Sequence, residues 1–311
     1  MNVKLSIVIV SWNTRDLLAA CLDSIAREQD ALAGAAVQVE TFVVDNVSRD
    51  GSAVMVQEHY PWVRLLVNEE NVGFARANNQ ALALCQGDYV LLLNPDTELQ
   101  PGALGTLLAF MDDHPEAGAA GARLLNGDGT LQESCSPAPT LARECWRLLH
   151  LDRLYPYARY PMGRWPVDRP RQVDVVQGAA LLVRRSVLDQ VGWLDPDYFI
   201  YSEEVDFCRR IRAAGWAIYW VPTAAVVHYG GQSTQQVAAE MFLRLYQAKI
   251  IYFRKHGGRW ATGLYKAILF LAALARLILV PFTALQHSLA RKRNLALAGN
   301  YLRLIAALPR L

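Results

Sequence analysis

Three carboxylates fall within four residues at Glu203-Glu204-Val205-Asp206. Acids in the first turn of a helix complement its dipole, so their plainest role is local. If they share a cleft, desolvation and mutual repulsion raise a carboxyl pKa toward the range of a general base. A second candidate is Asn94-Pro95-Asp96. One carboxylate placed after a buried strand can hold Mg²⁺ or Mn²⁺ on a diphosphate, although Asn-Pro-Asp is also good turn chemistry. His228, in Val226-Val227-His228-Tyr229-Gly230-Gly231, is a structural histidine unless the fold brings it to Asp96, where it would give a metal a second protein ligand. Finally, Ser11-Trp12-Asn13 and Asp45-Asn46 could accept hydrogen bonds from a base N–H or a ribose hydroxyl. The same residue types also cap helices and form turns.

The elements around these residues follow from hydropathy patterning. Residues 5–12 are a short apolar run rich in β-branched side chains, fit for a buried parallel strand. Leu18, Cys21, Leu22 and Ile25 then recur at helical spacing. Strands are predicted over residues 37–45, 63–67 and 89–93, with helices over 52–58, 74–85 and 101–111. This alternation predicts a doubly wound α/β sheet, which binds ligands at the carboxyl ends of its strands. Trp12-Asn13, Asp45-Asn46 and Asn94-Asp96 all fall on such ends. Further on, residues 126–129 read as a tight turn and 151–172 as a Tyr-, Pro- and Arg-rich loop. Residues 173–183 read as a strand broken at Gly178, 205–214 as a helix and 217–221 as a strand.

The chain has 311 residues, is 53% hydrophobic and has a formal net charge of +2. It has no overall basic field of the kind that marks a nucleic-acid binder. Five scattered cysteines, with no Cys-x-x-Cys pair, fit reduced buried thiols rather than a disulfide frame or zinc site. The amino terminus runs directly into a strand pattern without a signal-peptide core, so the catalytic part is expected in the cytoplasm. From residue 236 onward the pattern is helical. Residues 267–285 are apolar apart from Arg276 and carry Pro281, and Arg291-Lys292-Arg293 precedes a second apolar helix. The length just suffices for a bilayer span, but the charges and the proline suit a helix lying in the interface. Packing on the domain, or on a second copy in a homodimer, is the alternative.

The motifs together, from residue 5 to 233, resemble the family 2 glycosyltransferases. Residues 5–13, Val43-Val44-Asp45-Asn46, Ser48, Asp50 and Gly51 resemble the donor-nucleotide half. Asn71-Val72-Gly73-Phe74-Ala75, Asn78-Asn79, Leu91-Leu92-Leu93-Asn94-Pro95-Asp96, residues 178–185, Gly192-Trp193-Leu194-Asp195 and Glu203-Glu204-Val205-Asp206 resemble its rhamnosyltransferase-like branch. The resemblance implies a GT-A, Rossmann-like α/β fold over residues 1–235 and a membrane-associating helical region over 236–311. It implies donor contacts from Ser11, Asn13, Asp45, Asn78, Asn94, Asp96 and Gly178, with Asp45 on the base. It places a Mg²⁺ or Mn²⁺ ion on Asp96 and His228, and the catalytic base at Glu204 or Asp206. Two departures stand out: Asn94 occupies the place of the family's first metal-motif Asp, and Glu204 that of its usual Asp base.

The expected activity is inverting, metal-dependent transfer of a sugar from a nucleotide donor to a cell-envelope glycan or lipid-linked acceptor. The branch implies dTDP-rhamnose as the donor, with UDP-sugars open. The expected place is peripheral, on the inner face of the plasma membrane. One rival is a non-catalytic sugar-nucleotide-binding scaffold, for which Asn94 gives some footing. Another is different nucleotide chemistry on an α/β sheet. The chain has neither G-x-G-x-x-G after its first strand nor G-x-x-x-x-G-K-[ST], so phosphate cradling by those loops is unsupported.

Overall fold

The computed structural model describes residues 3–34, 37–231, 237–279 and 288–311, without the side chains at 33 and 288–296. The chain divides into two compact units. The first holds Met1–Ala138, Tyr160–Phe199 and Glu203–Gln236; the second holds Pro139–Arg159, Ile200–Ser202 and Val237–Leu311.

The first unit begins with β1 (Leu5–Ser11), α1 (Arg15–Ala33), β2 (Val39–Asp45), α2 (Ser52–His59), β3 (Val63–Val67), α3 (Phe74–Leu82) and β4 (Tyr89–Leu93). The four strands lie parallel in the order β3-β2-β1-β4. β1 shows why its sequence is apolar at four consecutive positions, Ile7 to Val10. Ile7 and Ile9 pack with Leu18, Cys21, Leu22 and Ile25 of α1 on one face of the sheet. Val8 and Val10 pack with Ala75, Ala77 and Ala81 of α3 on the other. Side chains alternate along a strand, so a central parallel strand covered on both faces needs no polar position. Each such side chain contributes about 1.5–3 kcal/mol by burial.

The sheet continues with β5 (Thr97–Leu99), α4 (Ala103–Asp113) and β6 (Ala117–Leu125). A small separate sheet pairs β7 (Cys135–Ser136) with β9 (Val175–Val176), while β8 (Arg171–Gln172) pairs with Tyr219 and Trp220. Then come β10 (Ala180–Arg184), α6 (Arg185–Val191), α7 (Glu203–Ala213) and β11 (Ala217–His228). β10 runs antiparallel between β4 and β6, so the sheet is mixed rather than purely parallel.

Two predicted strands come out differently, and β5, β6 and α6 have no counterpart in the sequence-based expectation. Residues 173–183 form two strands in two sheets instead of one interrupted strand. β9 crosses so closely that a Cβ at Gly121 would lie far inside van der Waals contact with Val176 Cγ1. β11 extends seven residues past the predicted end, to His228. Its register shifts between Val221 and Ala225; such a bulge accommodates Pro222, which has no ladder N–H to give.

The second unit contains α5 (Leu141–Leu148), α8 (Ala238–Leu279) and α9 (Ser288–Ala307). α8 is two helices joined at Gly258, whose φ of 72° interrupts the helical run. Glu144 of α5 is buried and accepts from Lys249 Nζ at 2.7 Å. Burial pulls the Lys249 pKa down, and the Glu144 charge works against that shift. The predicted segment 267–285 is helical up to Leu279; residues 280–285 and the side chains of Arg291-Lys292-Arg293 lie outside the described residues.

All five cysteines are free thiols. Burial pushes the Cys21, Cys135 and Cys208 thiols up to about 12, which leaves them unreactive.

Candidate active site

The carboxyl ends of β1 and β2 carry the first group of predicted residues side by side, since Ser11 pairs with Asp45 in the ladder. Asn13 has a left-handed φ of 52°, a conformation that Asn tolerates better than most residues. It is held there from both sides: its N–H donates to Ser48 Oγ at 2.9 Å, and its Oδ1 accepts from the Arg49 N–H at 2.7 Å. Ser11 Oγ stands 3.0 Å from Thr14 Oγ1. Asp45 is buried; its Oδ1 accepts from the Ser48 N–H at 2.9 Å. Its Oδ2 is buried with no partner among the described residues. An ionised oxygen left this way is costly unless a ligand donor completes it.

The neighbouring Asn46 has a different role. Its Oδ1 accepts from Asn68 Nδ2 and the Val72 N–H, and its Nδ2 donates to Asn71 Oδ1. It therefore ties the loops after β2 and β3 together. Asp50 does the same for α1 and α2, accepting from the Arg15 N–H and from Ser52. Burial would raise the Asp50 pKa, but the Ser52 and backbone hydrogen bonds outweigh it and hold the carboxyl below its ordinary range.

The second group gathers at the end of β4. Asp96 and His228 are both buried, with Asp96 Oδ1 3.4 Å from His228 Nε2. Asn94 Nδ2 lies 3.3 Å from the same nitrogen. The extension of β11 makes this possible: His228 pairs with Thr97 in the ladder, and the Tyr229 N–H donates to Asp96 O at 2.9 Å. His228 Nδ1 contacts Gln132 Oε1 at 2.6 Å.

The third group is the acidic turn. Glu203 and Glu204 each keep one buried carboxyl oxygen without a hydrogen-bond partner among the described residues. Burial, and then the Glu204 charge, push the Glu203 pKa well above the ordinary carboxylate range. Burial likewise raises Glu204, against hydrogen bonds from backbone N–H groups. Asp206, by contrast, is ion-paired to Arg210 Nε at 2.8 Å. That guanidinium also donates to the carbonyls of Val191 and Trp193. The two residues before α7, Tyr201 and Ser202, have left-handed φ values of 69° and 63°. Such strain costs of order 1–3 kcal/mol per residue and clusters at functional sites.

The second and third groups are linked through the start of β10. A Cβ on Gly178 would lie 3.5 Å from Glu204 Cβ. The next residue, Ala179, accepts the Asn94 N–H at 3.0 Å. Gly73 fixes the other approach: its φ is 86°, and a Cβ there would lie 2.6 Å from Phe199 O. That same carbonyl accepts the Phe74 N–H at 2.6 Å. Asn78 is buried on α3 and donates to Phe74 O in its own helix at 2.9 Å. Its neighbour Asn79 clamps Leu194 through two hydrogen bonds. Gln132 and Arg210 were not singled out from the sequence, and Ser48 and Asn79 stood there only as motif residues without a role. For Arg210 a signal existed, because Asp206 and Arg210 stand at i, i+4 on one helix.

The family model for glycosyl transferase family 2 matches residues 6–192, which spans β1 through α6 and so includes both the Asp45 and the Asp96 loops. The chain belongs to glycosyl transferase family 2. It is 32% identical over 248 residues to the N-acetylglucosaminyl-diphospho-decaprenol L-rhamnosyltransferase of Mycobacterium tuberculosis, covering 73% of this chain and 78% of that one. It is 24% identical to the rhamnosyltransferase WbbL of Escherichia coli, over 55% of this chain and 66% of that one. Among solved structures, the mannosyltransferase of Pyrobaculum calidifontis with GDP-Man and Mn²⁺ has a TM-score of 0.57 at 17% identity, covering 99% of this chain and 87% of that chain. This glycosyltransferase thus has a GT-A-like mixed α/β fold, within a rhamnosyltransferase-like group of the family.

The buried acids of this glycosyltransferase make its stability depend on pH. A carboxyl whose pKa is raised on folding binds more protons in the folded state. Its burial therefore destabilises the protein progressively as pH rises above the unfolded value, until the folded pKa is passed. Burial raises the pKa of the Glu203 and Glu204 carboxyls, which places that window above the ordinary carboxylate range. Glu203→Gln is expected to flatten the fall in unfolding free energy above this point, by up to about 1.4 kcal/mol per pH unit. Urea denaturation from about pH 5 to 8 measures it. An unchanged slope would mean that Glu203 titrates normally.

Proposed function

We propose that this family 2 glycosyltransferase is an inverting, metal-dependent rhamnosyltransferase using a lipid-linked or cell-envelope glycan as acceptor. The observation that carries the reading is the pairing of two sites across β4 and β10. Glu204, one carboxyl oxygen of which has no partner among the described residues, packs on Gly178, while Asp96, His228 and Asn94 converge beside Ala179. The names of the M. tuberculosis and E. coli relatives support rhamnose as the sugar and, for the former, a lipid diphosphate as the acceptor.

Asp96 and His228 fit a divalent cation. They offer one buried carboxylate and one imidazole nitrogen, converging at 3.4 Å. Groups of three or more His, Cys, Asp or Glu suited to a metal are absent among the described residues. Mg²⁺-type sites ordinarily use one or two protein carboxylates and complete their shell with substrate phosphates and water. When bound, the cation supplies Lewis-acid neutralisation of the charge on the departing diphosphate. The Mn²⁺ named with the P. calidifontis enzyme supports this choice.

The chain's own residues divide the remaining work. Asp45 Oδ2 accepts from the donor's base. Asn13 and Ser11 shape the loop beside it, and Asn94 and Gly178 leave room for the diphosphate-sugar. Glu204 takes the proton of the acceptor hydroxyl as that oxygen bonds to the anomeric carbon. The bond from this carbon to the diphosphate oxygen breaks on the opposite face, and its electron pair leaves with the nucleoside diphosphate. One displacement from opposite faces inverts the configuration. Asp206, held by Arg210, anchors the turn that presents Glu204.

Donor turnover by the purified full chain tests the reading. With Mg²⁺ or Mn²⁺, dTDP-, UDP- and GDP-sugars are offered with a polyprenyl-diphospho-N-acetylglucosamine acceptor. Metal-dependent release of dTDP from dTDP-rhamnose, with an inverted linkage in the product, is the expected result. Release of UDP or GDP instead would reassign the donor. Retention of configuration would remove Glu204 from its role.

The second unit supports action at a membrane surface. α8 carries an 18-residue stretch of mean hydropathy 1.7, of which only 22% is buried. Trp260 is 93% exposed, and Leu264, Leu271, Leu274 and Ile278 are also exposed. Their spacing marks one helical face, and Arg259 and Lys266 stand among them. An exposed apolar stripe with basic neighbours suits an interfacial helix on anionic lipid. The proposed location is therefore peripheral, on the cytoplasmic side, through residues 236–311. Trp260→Ser combined with Leu264→Ser is expected to lower partitioning onto phosphatidylglycerol vesicles by about tenfold or more, read by flotation. Equal partitioning would relocate the contact.

A further inference from the structure

The turn after β6 carries a chain of hydrogen bonds that ends on the candidate metal ligand. Asn126 donates its N–H to Thr130 O, and Gly129, at a φ of 81°, donates to Asn126 O. This closes a short hairpin turn of the glycine-bulge kind. Thr130 and Gln132, two residues apart, share one face of the returning segment.

The direction of the chain is set at its far end. Thr130 Oγ1 donates to Asp128 Oδ1 at 2.6 Å, since an ionised carboxylate only accepts. The Thr130 hydroxyl oxygen then accepts from Asn126 Nδ2 at 2.9 Å. That leaves Asn126 Oδ1 to accept from Gln132 Nε2, also at 2.9 Å. The second Gln132 N–H goes to the His228 carbonyl at 3.1 Å. With its nitrogen held by two acceptors, the amide can present only Oε1 to the imidazole, 2.6 Å from His228 Nδ1. A carbonyl oxygen cannot donate, so the proton of a neutral ring sits on Nδ1. Nε2 is then a bare lone pair. Asn94 Nδ2 faces it as a donor at 3.3 Å, and Asp96 Oδ1 stands at 3.4 Å.

We infer that Gln132 is a positioning residue that fixes His228 in its Nδ1–H tautomer and so keeps Nε2 unprotonated, with a lone pair that a divalent cation beside Asp96 can take in place of the Asn94 amide. The use of the tautomer rests on the cation reading above; the tautomer itself does not. Without Gln132 the ring can carry its proton on Nε2 and donate it to Asp96 Oδ1. One hydrogen bond would then occupy both protein ligands at once. Outer-shell partners of this kind typically set metal affinity by about 10–100-fold.

The test is a long-range ¹H–¹⁵N correlation spectrum of the metal-free full chain at about pH 8, above the ordinary imidazole range. The His228 signals are assigned by their loss in His228→Gln. The expected wild-type pattern is a protonated Nδ1 and a bare Nε2. Gln132→Glu keeps that pattern, because a carboxylate also only accepts, and Gln132→Leu moves the proton to Nε2. In parallel, Mn²⁺ binding in the presence of dTDP, followed by electron paramagnetic resonance, weakens about 10–100-fold in Gln132→Leu and is restored in Gln132→Glu. A wild-type ring protonated on Nε2, or a Gln132→Leu ring still protonated on Nδ1, overturns the assignment. Should Gln132→Leu not fold, the wild-type and Gln132→Glu spectra still decide the tautomer. If the tautomer shifts as expected but Mn²⁺ affinity is unmoved in both Gln132→Leu and His228→Gln, the cation reading falls and the tautomer assignment stands.

Discussion

Glu204→Gln is expected to lower kcat by about 10²–10⁴-fold, the usual contribution of one positioned base, with donor affinity nearly unchanged. The substitution keeps the shape of the side chain and removes only its ability to take a proton. Misfolding is a weak rival explanation for such a loss. Glu204 is a carboxyl whose burial raises its pKa, with one oxygen lacking a hydrogen-bond partner among the described residues. A neutral amide at that position relieves charge burial, so the variant should melt no lower than wild type. The pH profile supplies a second signature. In wild type the acid limb of kcat/KM should lie above the ordinary carboxylate range, because activity is lost as the base becomes protonated. That limb should vanish from the residual activity of Glu204→Gln. A variant with wild-type kcat would remove Glu204 from the chemistry. Asp206 would be a poor replacement, since its carboxylate is already engaged by Arg210 at 2.8 Å.

Asp96→Ala should be about as damaging. Asn94 brings no charge to this site, so Asp96 provides the negative group closest to His228 Nε2, at 3.4 Å. Removing it leaves a proposed cation with one imidazole and the donor's own phosphates. A Lewis acid on a leaving diphosphate is worth several kcal/mol, and each ~1.4 kcal/mol is tenfold in rate. The expected loss is therefore about 10²–10³-fold in kcat, together with loss of the Mn²⁺ dependence of dTDP binding. The comparison with Glu204→Gln separates the two roles. One variant binds donor and metal but turns over slowly; the other loses metal-coupled donor binding as well. If Asp96→Ala keeps wild-type metal dependence, the cation is held elsewhere.

The parallel half of the sheet was legible in the sequence because its determinants are local. Residues 7–10 and 89–93 are continuous apolar runs, as a strand covered on both faces favours, and polar residues begin at Ser11 and Asn94, where each run stops. The α1 stripe of Leu18, Cys21, Leu22 and Ile25 is fully buried as its spacing predicts. The acidic turn likewise opens a helix, α7. These features need only a periodicity and a change in polarity along a few consecutive residues.

What only the tertiary structure decided depends on pairing between distant segments. Residues 173–183 looked like one interrupted strand, but their two halves satisfy backbone groups in different sheets, β9 with β7 and β10 with β4 and β6. The strand predicted over 217–221 stops just before Pro222, which removes one donor. The ladder resumes beyond the bulge because β6 and β5 still offer partners, and that resumption carries His228 to Asp96. Gln132 is the clearest case. Nothing in its neighbours along the chain ties it to a histidine 96 residues away. Its importance comes from an amide oriented by two acceptors, one from a turn next to it in sequence and one from the end of the last strand. Hydrogen-bond direction belongs to the folded arrangement of donors and acceptors, and the sequence contains only their types.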